Sequence, residues 1–269
     1  MLEKEQLDVV GIGGANDARA AVILACAARK VHVAAEKPLA IERADLDHIR
    51  QSVRQNGIHL TMLLPMRFSA PYLAMKQVVE SGEIGQIGQI DAQKSYKLGE
   101  RAAWMMKRSS FGGTIPYIGV HMVDLMRWIS GRDFVEAVSL QQHIGYPEYG
   151  QMENTTGTLF RLDNGGIAVL HMDYLRPQTA ATHGDDRLRL AGTGGVVEYQ
   201  QATGVTVVTG KQNARTITEL PQSRSLFLDF LDAVYNQKPA GLSLSDIYRV
   251  NEIVLGARES AEKRTFVKL

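Results

Sequence analysis

Three side chains suited to moving a proton or binding a hydroxyl lie close together in the chain: Tyr117, His121 and Asp124. Pro116 fits the first turn of a helix and Gly131 its end, so the stretch Pro116 to Ile129 is expected to be helical. In a helix these three residues fall at i, i+4 and i+7 and share one face. Beside them Ile118, Met122, Leu125 and Ile129 form an apolar stripe that would face a core. A polar line next to an apolar stripe suits a cleft-facing catalytic helix, and it equally suits an ordinary, partly exposed one. The chemistry it would serve is alcohol oxidation. The hydroxyl proton must be taken up, and an imidazole of pKa about 6.5 can take it. A tyrosine can hydrogen-bond there but is no carboxylate at neutral pH.

A second group gathers at the other end of the sequence. Val31-His32-Val33 reads as a strand closed by Pro38, which puts Lys37 at the end where α/β folds bind ligands. Upstream, Gly11-Ile12-Gly13-Gly14-Ala15-Asn16 follows a strand and opens a helix, and Glu36 lies 20 positions past Asn16. One reading is the first unit of a dinucleotide fold, with pyrophosphate held by the free N–H groups of the helix start and Asn16 in the slot of the third glycine. The other is a tight strand-to-helix turn that holds no phosphate.

The elements that must position these residues change character along the chain. Leu7 to Gly11, Val31 to Val33 and Ile58 to Leu64 read as strands. They alternate with helices over Ala18 to Arg29 and Glu42 to Gln55, the latter stopped by Asn56-Gly57. Gly13 to Asp17 reads as a turn. That alternation is the mark of a parallel sheet. A helix over Pro71 to Ser81 connects to a different pattern: strands at Ile87–Tyr96, Phe134–Ile144, Thr155–Leu162, Gly166–Tyr174, Arg187–Leu190, Val196–Tyr199 and Val205–Val208. Asp163-Asn164-Gly165 and Gly192-Thr193-Gly194-Gly195 are hairpin signals, so this sheet should be mostly antiparallel. Helices Ser223–Tyr235 and Ser245–Ala261 close the chain. The expected class is α/β: a partial Rossmann-type parallel domain over residues 1–68, then an α+β domain over 69–269 for substrate and oligomerisation.

Composition narrows the partners. The 269 residues are 45% hydrophobic and 22% charged, an ordinary globular balance. A formal net charge of +1 offers nothing to nucleic acid or an anionic membrane. No apolar run reaches bilayer length and the first residues lack a signal pattern. The one cysteine, Cys26, sits in an apolar helical stretch and excludes an internal disulfide, so a cytoplasmic home is expected. His183, Asp185 and Asp186 are too few to hold an ion unaided, and no metal is expected.

Two segments carry a resemblance to a known family: Val31-His32-Val33-Ala34-Ala35-Glu36-Lys37-Pro38, and Gly112-Gly113-Thr114-Ile115-Pro116-Tyr117-Ile118-Gly119-Val120-His121-Met122-Val123-Asp124. In this order and spacing they resemble the Gfo/Idh/MocA oxidoreductases, and the likeness runs from Leu7 to the terminal Leu269. The resemblance implies an NAD(P)-dependent oxidoreductase acting on a sugar, polyol or related hydroxy compound. It makes His121 the proton-transfer residue. Lys37 contacts substrate hydroxyl and nicotinamide ribose, and Tyr117 stands where the family has an Asp. Glu36, Lys37 and Asn16 are the implied cofactor contacts. Lys37, Asp124, Lys94, Tyr174 and Arg176 are the implied substrate contacts, with Arg67, Tyr96 and Trp104 behind them. The family's glycine-rich loop lies two βαβ units before Leu7. At about 30 residues per unit, about 60 residues are expected to be absent. Gly14-Ala15 replaces a Thr-Pro pair and Arg19 replaces a His at cofactor-contacting positions, so cofactor binding by this chain alone is expected to be poor. The alternative is a truncated, non-catalytic member serving in oligomerisation or ligand binding. A homodimer or homotetramer is implied.

Overall fold

The computed structural model describes residues 2–269. It opens with β1 (Val9–Ile12), α1 (Asn16–Ala28), β2 (His32–Ala35), α2 (Arg43–Asn56) and β3 (Leu60–Met62). The strands make a three-stranded parallel sheet in the order β1-β2-β3, with Val10 opposite Val33 and Val33 opposite Leu60. The alternation of short β-branched runs with helices dictates this, because parallel neighbours need a crossover. Element boundaries shift by one or two residues from expectation, and two of the shifts are the most visible. The helix takes in Asn16 and Asp17, which the glycine turn was expected to hold, and the third strand keeps only Leu60 to Met62.

The chain continues through α3 (Ala70–Glu80), β4 (Ile87–Lys97), a short α4 (Arg108–Phe111) and α5 (Thr114–Ser130). Next come β5 (Phe134–Gln142), β6 (Thr155–Leu162), β7 (Ile167–Arg176), β8 (Gly184–Gly192), β9 (Gly195–Gln200), β10 (Gly204–Thr209) and β11 (Arg215–Thr216). It ends with α6 (Leu226–Asn236), α7 (Leu244–Lys263) and β12 (Val267–Lys268). Nine strands form one sheet in the order β11-β10-β9-β8-β4-β7-β6-β5-β12. Only the central β4–β7 pair is parallel. The β6–β7 hairpin turns where Gly165 adopts φ +85°, a conformation open to glycine.

Alternation along β7 shows how the sheet is used. Ala168, Leu170, Met172 and Tyr174 are buried, while Ile167 and Leu175 are about half exposed on the other face. The inner face packs on α5, whose Ile118, Met122, Leu125 and Ile129 are buried. Gly119 lets α5 approach closely: a Cβ there would meet the Met172 sulfur at 3.0 Å. α5 also packs along α7, which is capped by the Ser243 hydroxyl accepting from the Asp246 amide. The long helix α5 thus lies under the large sheet with Tyr117 near its start, close to the end of β2. Among the described residues no helix is long and apolar enough to cross a membrane.

Candidate functional site

β2 ends at Ala35 and delivers Glu36 and Lys37 past the C-terminal edge of the parallel sheet. Two buried side chains fix the turn that follows. Arg19 of α1 donates to the carbonyls of Pro38 (2.6 Å) and Gly14 (2.9 Å) and to Asn16 Oδ1 (2.9 Å). Asn251 of α7 accepts from the Leu39 amide at 3.0 Å. Held between them, Lys37 points at the first turn of α5. Its Nζ donates to the Tyr117 carbonyl at 2.9 Å and stands 3.5 Å from the centre of the Tyr117 ring. Burial pulls its pKa down to about 7; Glu36 opposes the shift, while Lys94, Arg19 and Arg101 add to it.

One turn further along α5, His121 is half-buried. Its Nδ1 is buried without a hydrogen-bond partner, whereas Nε2 is neither bonded nor among the buried, unpaired atoms and so reaches solvent. Burial, and then the charges of Lys94 and Lys37, hold its pKa well below the ordinary histidine value. It is therefore a neutral imidazole near pH 7. Lys94 of β4 is completely buried, 2.7 Å from Asp186 Oδ2 on β8 and 4.9 Å from the Tyr96 ring centre. Tyr96 and Tyr174 sit 6.2 Å apart, and the Arg101 guanidinium lies 4.5 Å over Tyr174. Burial raises the pKa of Tyr96, Tyr117 and Tyr174, so all three stay neutral phenols. Lys37, His121, Lys94 and the three tyrosines thus form one polar cluster between the end of β2, α5 and β4–β7. Its groups can polarise a hydroxyl and accept its proton.

Other sequence-selected residues are placed elsewhere. Asn16, read as a cofactor contact, is fully buried, donates to the Phe111 carbonyl at 2.7 Å and accepts from Arg19. Its amide nitrogen thus ties α1 to the end of α4, while its oxygen is taken by Arg19 within α1. Asp124, read as a substrate contact, is fully buried in a two-pronged pair with Arg67, one prong being Arg67 Nε to Asp124 Oδ2 at 3.1 Å. The i+7 spacing puts it on the right side of the helix but one turn too deep. Arg176 is also committed: its Nε donates to the Thr182 carbonyl (3.0 Å), one terminal nitrogen donates to Thr182 Oγ1 (2.8 Å) and the other lies 3.6 Å from Asp185. It braces the β7–β8 connection. Tyr174 is almost fully buried, and its hydroxyl has no hydrogen-bond partner.

Sequence reasoning missed Arg101. A single arginine in the loop after β4 has no spacing signature, and only the fold brings it onto Tyr174 and into the field of Lys37. It also expected β8 to begin at Arg187, leaving His183 to Asp186 as loop. Gly184, Asp185 and Asp186 instead pair with Tyr96, Ser95 and Lys94 of β4. That register is what sets Asp186 against Lys94.

Comparison with known proteins supplies the context. A family model, the GFO/IDH/MocA C-terminal domain, matches residues 72–198. Myo-inositol 2-dehydrogenase of Thermotoga maritima is 25% identical over 284 residues, covering 100% of this chain and 82% of that protein. The solved structure of a Thermotoga maritima protein described as an oxidoreductase superposes with a TM-score of 0.95 at 35% identity, covering 100% of this chain and 82% of that one. Levoglucosan dehydrogenase, solved in complex with NADH, has a TM-score of 0.85 at 19% identity, covering 99% and 81%; at that identity the likeness is one of fold.

Proposed function

The chain belongs to the Gfo/Idh/MocA family of oxidoreductases, and from that premise we propose that it is an NAD(P)-dependent dehydrogenase or reductase of a sugar, polyol or related hydroxy compound. The observation that carries this reading is the meeting of Lys37 and His121. One is a lysine held near half-charge at about pH 7, and the other an imidazole held neutral. The myo-inositol and levoglucosan dehydrogenases among its relatives, the latter with NADH, support the substrate and cofactor classes.

The residues present fit the nicotinamide end of such a cofactor. Among the described residues the Glu36 carboxylate accepts only from the Lys37 amide, at 3.3 Å, and it has capacity left for a ribose or carboxamide. At the start of α1, Gly13 and Gly14 have open space where a Cβ would stand, so an anionic group can come close to the free N–H groups there. When bound, the cofactor takes up or supplies the hydride. The chain's own residues do the rest. In the oxidation direction Lys37 donates a hydrogen bond to the reacting oxygen and stabilises its developing negative charge. His121 Nε2 removes the hydroxyl proton as the C–H bond gives up its hydride and the carbonyl forms. Tyr117 holds Lys37 through its main-chain carbonyl and its ring. Residues 1–68 form the cofactor side of this division of labour, and residues 69–269 the substrate and assembly side. Leu140, Leu159 and Ile167 on the open face of the large sheet suit a homodimer or homotetramer in the cytoplasm.

A second reading, a non-catalytic member that binds a ligand or assembles, draws on Asn16 and Arg19, whose side chains are tied into the protein at cofactor-side positions. One assay separates the two. The purified protein is titrated with NADH and NADPH by fluorescence, then offered NAD+ or NADP+ with a panel of polyols and aldoses. Saturable nucleotide binding with turnover supports the dehydrogenase; absence of both at millimolar nucleotide leaves the second reading.

A further inference from the structure

Half-buried and buried arginines in this molecule find carboxylates within 4.0 Å as a rule. Arg67 has Asp124, Arg108 has Glu153, Arg127 has Asp133 and Arg258 has Glu262. Among the described residues only two that are not exposed break the rule, Arg19 and Arg101, and both lie in the field of Lys37, which also has no carboxylate within 4.0 Å. Arg19 is satisfied by carbonyls. Arg101 is not. One of its terminal nitrogens donates to the Lys97 carbonyl at 2.9 Å, its Nε is buried with no partner, and its other terminal nitrogen has no partner among the described residues. Nearby, Asp186 is already engaged by Lys94, and Glu36 acts on Lys37 without a salt bridge to it. Placing two half-buried, unpaired cations in one another's field is unfavourable unless a counter-charge arrives.

We propose that the compound handled at this cluster is a polyhydroxy acid, whose oxyanion, a carboxylate or a phosphate ester, is bound by Arg101 while its reacting hydroxyl lies at Lys37 and His121. The proposal rests on the oxidoreductase reading above and narrows its substrate class. Arg101 is suited to the task because its plane is already fixed over Tyr174, so little freedom is lost when it binds an oxyanion.

The test is a calorimetric titration of the protein, with and without NADH, using D-gluconate, D-glucose 6-phosphate and myo-inositol at low and high NaCl. Either acid should bind roughly 10–100-fold more tightly than myo-inositol, the reach of a charge-assisted hydrogen bond, and lose that margin in high salt. Arg101→Gln should abolish the margin and Arg101→Lys keep part of it. Gluconate against glucose 6-phosphate decides between carboxylate and phosphate. Myo-inositol binding as tightly as the acids, unaffected by Arg101→Gln, overturns the proposal and leaves the oxidoreductase reading standing. Weakening of NADH rather than of the acids in Arg101→Gln also overturns it, since the missing charge is then the cofactor's. If Arg101→Gln fails to fold, the acid-to-inositol ratio of the unaltered protein still decides.

Discussion

The two ends of α5 handle charge in opposite ways. Toward its C-terminus, Asp124, Arg67, Asp246, Arg127, Asp133 and Arg249 form a chain of alternating sign. The links include Arg67–Asp246 at 3.0 Å, Arg127–Asp133 at 2.8 Å and Arg249–Asp133 at 2.8 Å. Toward its N-terminus, Lys37 and Arg101 stand without carboxylate partners around Tyr117 and His121. His121 and Asp124 are less than one turn apart, and each environment holds a fully buried charged side chain, Lys94 beside His121 and Arg67 beside Asp124. Burial therefore does not separate structure from chemistry here; charge balance does. A neutralised network locks α5 to α7 and to the loop holding Arg67. At the other end burial, helped by neighbouring cations, lowers the pKa of Lys37 to about 7 and keeps His121 a neutral imidazole.

The sharpest way to break this comparison is His121→Ala. Turnover with the polyol identified by the screen above should fall by roughly 10²–10⁴-fold, the usual worth of a positioned acid–base group, with little change in thermal stability. Near-full turnover would remove His121 from the mechanism. At the other end of the helix, Arg67→Ala should lower stability by about 3–5 kcal/mol in denaturant unfolding, because it strands Asp124 in the interior. A wild-type unfolding midpoint would show that the network holds nothing together. The double variant Arg67→Met with Asp124→Leu should recover much of the loss, since an apolar pair needs no counter-charge.

A subtler effect follows from Lys37. Its folded pKa of about 7 lies below the unfolded value of about 10.4, so across that window the unfolded chain holds the extra proton. Wild-type stability should then gain from this group as pH rises from 7 toward 10, and its burial weighs fully against folding below 7. Lys37→Met should be more stable than wild type at pH 6, with the gap closing by pH 10. A gap that is constant with pH contradicts the depressed pKa. In catalysis, a role for charged Lys37 predicts that kcat/KM for alcohol oxidation declines as pH rises through about 7, a limb that Lys37→Met should lack while losing rate. The smallest effect belongs to Tyr117→Phe. Lys37 is held by the Tyr117 carbonyl and ring, both of which phenylalanine keeps, so turnover should drop by less than about 3-fold, a weak neutral hydrogen bond's worth. A large loss with a displaced pH profile would put the phenol in the proton path.

Much of this was legible in the residues themselves. The helix carrying Tyr117 and His121, the β6–β7 hairpin and the strand ending at Glu36-Lys37-Pro38 were readable because helical period, strand run and glycine turn are local signals. So was the family likeness, carried by two contiguous motifs. Other features had no local signal. Gly184 to Asp186 are polar and resemble a loop; they become strand only because β4 supplies the backbone partners. Asp124 and His121 are indistinguishable by spacing, and Arg67 lies 57 residues away from the aspartate it neutralises. Asn16 sits at a plausible phosphate turn until Phe111, 95 residues on, takes its amide.

The sequence alone thus determined which elements form and which side chains can do acid–base chemistry, since propensity and pKa class belong to the residue and its near neighbours. The tertiary structure decided which charges are cancelled and which are left open. Coulomb interaction depends on distance in space and on the dielectric around it, and neither is written in separation along the chain.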